Sequence, residues 1–362
     1  MTPVGDMPLH EARLQRDLDL IIDTLSGMKP RALILYGGYG RDEGSWVISQ
    51  EGDVRPYNDY DVLVITERPI PDEEVQPLRK ELAAQIGIRW VDIGQKTPVQ
   101  LARLKPSIFN YDLKHASKVI WGDPTVLDLI PDMDPARLPL KDTETLFFTR
   151  LWTFLGSLDR DGFKRTLQGE ESRFFRNQMT KAVLAVVDGW LLTKEAYHFS
   201  YREKVKRIIA LQQHRPKFVE LCQWALDERF TPQAPTMEPD QVVALYRQVF
   251  ELYFNDMLLA LSRYYRRDVR TPEQILRAMC WAPRALVWRV GMILLRRTWS
   301  YETTLKLRAA QLYIAMAYRQ GQIDEALLAK GNRFLKQLDP QTPAPETWDD
   351  ARVHVARLRV NE

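Results

Sequence analysis

The chain has 362 residues, of which 45% are hydrophobic and 27% are charged, and its formal net charge is +3. This composition is typical of a globular protein with a sizeable core, it excludes a disordered chain, and the length allows two domains. No segment reaches the ~20 consecutive apolar residues that a membrane span requires, so we expect no membrane-spanning helix.

The first third of the chain predicts an alternation of helices and strands. Apolar residues at helical spacing predict a helix over 6–28, and the pattern over 72–86 predicts another. Short apolar runs rich in β-branched residues predict three strands. These strands are expected at 31–36, 59–66 and 88–93. The region up to about residue 141 is therefore predicted to be a small mixed α/β domain.

Beyond residue 141 the apolar residues recur at spacings of three and four, which predicts a domain built of helices alone. We expect this helical domain to cover 142–338. A Pro-rich segment, 339–347, then predicts a linker to a short basic C-terminal helix within 339–362. The expected fold class is α+β, with a small mixed sheet followed by an all-helical domain.

The two cysteines, Cys222 and Cys280, lie within apolar helical patterns, which argues against a disulfide framework and for a reducing compartment. The N-terminus shows no basic segment followed by an apolar one, so we expect no signal peptide and a cytoplasmic protein. Five scattered histidines without an HExxH pattern, and the absence of CxxC, give zinc chemistry no support.

The stretch 263–308 is strongly basic, with eleven Lys or Arg against three acids and hence a local charge of +8. Such a surface suits an anionic partner, either a nucleic acid or another phosphate-bearing molecule. A solvated helix face is the commoner cause of such a pattern. Binding of a nucleic acid or oligonucleotide at this stretch is therefore one of two open interpretations.

The most informative constellation begins with YGGYGRDEGS and continues with NDYDVLVI. Gly37 and Gly38 follow a predicted strand, where backbone N–H groups approach a phosphate closely because no Cβ intervenes. Asp59 and Asp61 are two residues apart, so on an extended chain both carboxylates point to the same side. Asp92 enters from the next predicted strand. Three such carboxylates suit a pair of metal ions that stabilises the attacking and leaving oxygens of a phosphoryl transfer.

The electrostatics of three neighbouring acids also favour a bound cation. Two like charges about 5 Å apart repel by roughly 3 kcal/mol at an effective dielectric of ~20, and a third charge adds to that repulsion. Hard oxygen ligands and a triphosphate substrate point to Mg²⁺ or Mn²⁺.

A GG pair, a following D-x-D strand and a later single Asp together resemble the nucleotidyltransferase superfamily typified by DNA polymerase β. The segment GGYGR is similar to the form found in uridylyltransferases that modify nitrogen-regulatory signal proteins. The resemblance covers roughly residues 30–125. It implies that Gly37 and Gly38 contact the nucleotide phosphates, that Asp59 and Asp61 bind both metals, and that Asp92 completes the triad. It also implies that residues 1–141 form the catalytic domain and that 142–338 close the nucleotide cleft.

Two basic side chains are candidates for contacts with the phosphates. Arg41 follows the glycines and has the planar geometry that binds a phosphate through two hydrogen bonds, although an ion pair with Asp42 or Glu43 is an alternative. By resemblance, the helical domain supplies a further cation, for which Lys181 is the candidate against the interpretation of a solvated lysine.

The predicted function is the metal-dependent transfer of an NMP from an NTP, with ATP as the expected nucleotide, to an acceptor hydroxyl of a small molecule or a protein. Pyrophosphate is the expected second product. Synthesis of an oligonucleotide or a nucleotide signal is one alternative, and a catalytically inactive nucleotide-binding regulatory module is another.

Overall fold

The computed structural model describes residues 9–49, 52–281, 301–319 and 321–360. Within these residues the chain is mixed α/β, with small sheets and a helical C-terminal part, which confirms the coarse fold prediction. It divides into two compact units. The first contains the chain up to Pro139 together with Glu195–Arg207 and Leu226–Pro232, and the second contains the rest. The domain boundaries and the cleft-closing role inferred from the sequence stay predictions.

The first unit contains a four-stranded sheet. Its strands are β1 (Ala32–Tyr36), β4 (Tyr60–Ile65), β5 (Val91–Lys96) and β6 (Lys118–Gly122), in the order β5–β4–β1–β6. β1 pairs antiparallel with both β4 and β6, whereas β4 and β5 run parallel. Between β1 and β4 lies a hairpin made of β2 (Trp46–Ile48) and β3 (Val54–Pro56). The sheet is therefore mixed, and its two central strands are β4 and β1.

The helices α1 (Leu9–Ser26) and α3 (Asp72–Ile86) contribute the buried Ile21, Leu25 and Val75 to the core of the first unit. The same core takes alternate residues of the strands, because successive side chains of a strand point to opposite faces. Those residues are Leu33, Leu35, Val62, Val64, Val91 and Ile93. Tyr36, Asp61 and Asp92 are chain neighbours of these core residues, so their side chains belong to the opposite face of the sheet.

The third strand differs from its prediction, which placed it over 88–93. Gly87 ends α3 in a left-handed conformation with φ 81°, and the Ile88 N–H donates to the Ala83 carbonyl, so residues just after the helix are still part of its C-terminal turn. The strand begins only at Val91. Residues 88–90, predicted to be part of the strand, precede it, and Trp90 is partly exposed.

Three short helices and several 3₁₀ turns complete the first stretch of the chain. Two of these helices, α4 (Pro98–Ala102) and α5 (Ile108–His115), have side-chain caps at their N-termini, from Thr97 and Ser107 respectively. The third helix is α2 (Gly37–Gly40), which follows β1 directly.

Beyond residue 140 the described chain is largely helical, as predicted. The helices are α6 (Lys141–Arg150), α7 (Trp152–Leu155), α8 (Gly169–Thr193), α9 (Tyr201–Leu211), α10 (Pro216–Phe230), α11 (Pro239–Tyr265), α12 (Pro272–Trp281), Tyr301–Ala317, Glu325–Leu338 and Trp348–Val360. The prediction of helices alone is wrong in one place, where the two-residue strands Tyr318–Arg319 and Gln322–Ile323 pair antiparallel. α9 and α10 are separate helices, because Pro216 can begin a helix but cannot continue one. Along the described ranges, none of the helices combines the length and apolar character that a bilayer crossing needs.

The C-terminal helix Trp348–Val360 belongs to the second unit. Trp348 is fully buried, and its indole N–H donates to the carbonyl of Ile314 at 2.8 Å. A buried tryptophan whose polar atom is satisfied holds this helix against Tyr301–Ala317.

Candidate active site

The turn after β1 brings the backbone of Gly37 close to the carboxylate of Asp61. Gly37 has a φ of 67°, in the left-handed region that favours glycine, and a Cβ built there would lie 1.9 Å from Oδ2 of Asp61. A side chain at this position would therefore displace the carboxylate. Instead of a simple tight turn, the two glycines begin the short helix α2. The contact of Gly37 and Gly38 with phosphate stays a prediction.

Gly38 also lies close to a side chain, the guanidinium of Arg229. A Cβ on Gly38 would lie 2.5 Å from Nη2 of Arg229. The Nη1 of Arg229 donates to Oδ1 of Asn58 at 2.5 Å and to Oγ of Ser45. One arginine thus links the glycine turn, the start of the hairpin and the residue before Asp59.

The sheet register brings two of the three predicted acids side by side. Asp61 on β4 faces Asp92 at the neighbouring position of the parallel strand β5, and Tyr36 faces Asp61 from β1. These residues form one row across three adjacent strands. The hydroxyl of Tyr36 donates to Oδ2 of Asp92 at 3.3 Å. Asp59 lies one residue before β4 and is exposed.

The row of acids changes the protonation of Asp61. Burial, with further contributions from Asp92 and Asp59, raises the pKa of Asp61 to about 7, although Arg41 and Arg229 oppose the shift. Burial, together with Asp92 and Asp61, also raises the pKa of Tyr36, which therefore stays protonated and donates its hydrogen bond near neutral pH. All three predicted acids are thus close enough for their charges to interact.

A divalent cation fits the donor chemistry of this row. Carboxylate oxygens are the ligands that Mg²⁺ and Mn²⁺ prefer, and a cation would offset the burial and the neighbouring acids that together raise the pKa of Asp61. In the part of the chain that the structure describes, however, no group of three or more His, Cys, Asp or Glu side chains is arranged to hold a metal ion. The metal role of Asp59, Asp61 and Asp92 stays a prediction.

Arg41 is held by several groups of the first unit. Its Nε donates to the carbonyl of Gly37 at 2.9 Å, and its Nη1 donates to the carbonyl of Phe199 at 2.9 Å and to Asp112 at 3.3 Å. Its ion-pair partner is thus Asp112, whereas the sequence analysis considered Asp42 or Glu43. These contacts fix the conformation of α2, and a phosphate contact by Arg41 stays a prediction.

Glu43 connects the glycine turn to a distant part of the chain. It is buried, and it accepts hydrogen bonds from the Ser200 hydroxyl at 2.7 Å and from the backbone N–H of Tyr201 at 2.9 Å. A carboxylate at this position caps the first turn of α9, and its negative charge interacts favourably with the helix dipole. Sequence reasoning missed this contact because 157 residues separate Glu43 from Ser200.

Tyr197 contributes to the same region from the interior. It is fully buried, its hydroxyl contacts Asp112 at 3.1 Å, and the buried Lys204 donates to that hydroxyl at 2.9 Å. Tyr197 therefore packs in the interior of the first unit with its hydroxyl satisfied.

Lys181, the predicted second phosphate ligand, lies on α8 in the second unit and is partly buried. Its role stays a prediction.

Several cations of the basic stretch have local partners within the second unit. Arg308 pairs with the buried Glu144, Arg270 pairs with Asp268 at 2.8 Å, and Arg263 donates to Thr193 at 3.0 Å. Four further members of the stretch lie outside the described residues: Arg284, Arg289, Arg296 and Arg297.

Comparison with known proteins found no match to this chain. No protein-family model matches the chain, and neither a curated protein nor a solved structure matches it.

Proposed function

We propose that the chain is a metal-dependent nucleotidyltransferase that moves an NMP from an NTP to an acceptor hydroxyl and releases pyrophosphate. One observation carries the proposal: Asp61 and Asp92 occupy facing positions on two parallel strands, directly beside the glycine turn that follows β1. This arrangement supports a site in which phosphate, carboxylates and the reacting hydroxyl meet. It also agrees with the resemblance to the nucleotidyltransferase superfamily drawn from the sequence.

The residues of the first unit have distinct tasks in this proposal. Gly37 and Gly38 let backbone N–H groups approach the phosphates, because neither carries a side chain. The acceptor oxygen attacks the α-phosphorus, the bond from that phosphorus to the pyrophosphate oxygen breaks, and the Asp92 carboxylate takes up the hydroxyl proton. Tyr36 orients Asp92 through its hydrogen bond.

Asp61 and Asp59 would hold the metal, together with Asp92. When bound, Mg²⁺ or Mn²⁺ would neutralise charge that develops on the phosphate oxygens. The pKa of Asp61, raised to about 7 chiefly by burial and then by Asp92 and Asp59, supports this assignment, since a cation is the ligand that such a cluster favours.

No contact in the described structure indicates the class of acceptor. A small molecule or a protein hydroxyl remains the first proposal, and ATP the first nucleotide to test. Synthesis of an oligonucleotide or nucleotide signal is distinguished from it by the labelled product.

The direct test incubates the full chain with each α-labelled NTP and dNTP, with Mg²⁺ or Mn²⁺, in the presence and absence of cell extract. The account expects a metal-dependent labelled product whose mass increases by one NMP. The variant Asp59→Asn/Asp61→Asn should lose this product by at least about 100-fold, as expected when groups that stabilise the transition state are removed.

Asp19→Asn is the matched control, because Asp19 is an exposed acid on α1 that interacts with Gln15. It should transfer label at the wild-type rate. Labelled product at equal rates in the wild type and in the double variant would refute the proposed function.

A further inference from the structure

The guanidinium of Arg229 lies at the glycine turn. Its Nη1 donates to two neutral oxygens, Oδ1 of Asn58 at 2.5 Å and Oγ of Ser45. Among the described residues, no Asp or Glu forms an ion pair with it. Because its hydrogen-bond acceptors are neutral, this partly buried cation retains the capacity to bind an anion.

We propose that Arg229 binds the polyphosphate of the nucleotide at Gly38, so that inorganic pyrophosphate is by itself a ligand of this site. The inference rests on the proposed function and extends it to a residue that lies 168 positions after Asp61 in the chain. Arginine suits this role because its planar, permanently charged group donates two parallel hydrogen bonds to phosphate oxygens.

The position of Gly38 supports this role. Nη2 of Arg229 lies 2.5 Å from the point that a Cβ of Gly38 would occupy, so the absence of a side chain brings the guanidinium against the backbone of the turn. The guanidinium therefore lies against the turn at which the phosphates are proposed to bind.

The electrostatics point in the same direction. Arg41, the second guanidinium at the turn, donates to the Gly37 carbonyl and already pairs with Asp112 at 3.3 Å. Both guanidinium carbons also lie close to the ring of Tyr201, at 5.4 Å for Arg229 and 5.0 Å for Arg41. Two cations on one ring repel each other, and a bound anion relieves that repulsion.

Asn58 and Ser45 orient the guanidinium. Both contact Nη1, which fixes the plane of the group and turns the Nη2 edge towards Gly38. A lysine at this position would keep the charge but would lose the two-point geometry. Arg229 could not be identified from the sequence, because α10 and the glycine turn are far apart in the chain and meet only when it folds.

The experiment titrates inorganic pyrophosphate into the full chain by calorimetry, with and without Mg²⁺. Arg229→Gln should weaken binding by about 10- to 100-fold, the range for a lost charge-assisted hydrogen bond to phosphate, and Arg229→Lys by less. Arg202→Gln is the matched control, because Arg202 is an exposed neighbour on α9 whose guanidinium lies 3.9 Å from the Phe230 ring. The control should bind within twofold of the wild type.

A second measurement needs no variant. Phenylglyoxal modifies accessible arginines, and peptide mapping of the wild-type chain reports the extent at each position. Saturating pyrophosphate should protect Arg229 several-fold and leave Arg202 unchanged. Equal modification of Arg229 with and without pyrophosphate, or wild-type affinity in a folded Arg229→Gln variant, overturns the inference.

These results separate the inference from the proposed function. Pyrophosphate binding that depends on Arg229, in a chain that transfers no nucleotide, supports the anion site and refutes the transferase. Nucleotide transfer that is unaffected by Arg229→Gln supports the transferase and refutes the role of Arg229.

Discussion

Two acids, one in each unit, have opposite surroundings. In the second unit, Asp256 is 1% exposed and accepts hydrogen bonds from both terminal nitrogens of Arg215, each at 2.9 Å, and from the Trp190 indole at 2.8 Å. In the first unit, burial and the charges of Asp92 and Asp59 raise the pKa of Asp61 to about 7. Fully paired acids serve the architecture of a domain, whereas a cluster of like charges indicates a site that binds something positive.

Glu144 strengthens this contrast. It is buried within the second unit, and it contacts both Arg308 and the hydroxyl of Tyr265. A buried acid with a dedicated cation costs stability mainly when one partner is removed. An acid among acids costs stability while it stays ionised, so removing its charge should have the opposite effect.

The largest loss of stability is expected when a paired acid loses its cation. Arg215→Met should lower the free energy of unfolding by about 3–5 kcal/mol, because Asp256 then stays buried without its cation. Urea denaturation measures this loss. The matched control Arg270→Met removes an exposed pair with Asp268 and should cost no more than about 1 kcal/mol. Equal losses in the two variants would contradict the structural role of the Asp256 pair.

A large effect on turnover, with little on stability, is expected from the acid cluster. Asp92→Asn should lower kcat by about 100-fold or more, since a proton acceptor contributes in the transition state, and should change nucleotide affinity less than about threefold. Single-turnover transfer and calorimetry measure the two quantities. Equal losses of affinity and turnover would make Asp92 a structural residue.

Much of the fold was predictable because its signals are local. The helix 72–86 coincides with Asp72–Ile86, and the run before Gly37 is the strand Ala32–Tyr36. The start of the third strand was not predictable, because the left-handed Gly87 lets the helix turn continue past residue 86. Local periodicity carries no information on such a C-terminal turn.

The candidate site was predictable only in part, for a similar physical reason. Asp59, Asp61 and Asp92 follow from strand spacing, and the structure brings their charges into interaction. The contacts of Glu43 with Ser200 and of Arg229 with Asn58 join segments more than 150 residues apart. No spacing rule in one sequence reports such pairs.

A smaller effect, a gain in stability, is expected when Asp61 is replaced. Its folded pKa of about 7 lies above the ordinary value of 3.8, so the folded state binds the proton more tightly than the unfolded one. Stability is therefore greatest at low pH and falls as the pH rises from about 4 to 7. Asp61→Asn should remove this fall and stabilise the metal-free chain at pH 8 by roughly 1–3 kcal/mol.

Thermal unfolding from pH 5 to pH 8 measures the effect, with Asp19→Asn as the control that keeps the wild-type slope. A destabilised Asp61→Asn variant at pH 8 would show that the acid cluster is not under repulsion.

The smallest effect is expected in the basic stretch. Replacing Arg266, Arg267 and Arg270 by Gln should change stability by no more than about 1 kcal/mol, because exposed ion pairs contribute little. If the stretch binds a single-stranded nucleic acid, the same change should lower both the affinity and its salt slope, by about 0.7 per lost phosphate contact. Oligonucleotide binding measured at several salt concentrations separates the anionic-partner interpretation from the solvated helix face.

The most direct test of the acid cluster as a cation site is a titration of Mn²⁺ into the wild type, Asp61→Asn and Asp19→Asn, followed by electron paramagnetic resonance at pH 6 and pH 8. The account predicts a Mn²⁺ site that tightens as the pH passes about 7, because protons compete for Asp61. Asp61→Asn should lose that site, and Asp19→Asn should retain it. Mn²⁺ binding that is the same in all three proteins, or that does not change between the two pH values, would contradict the account.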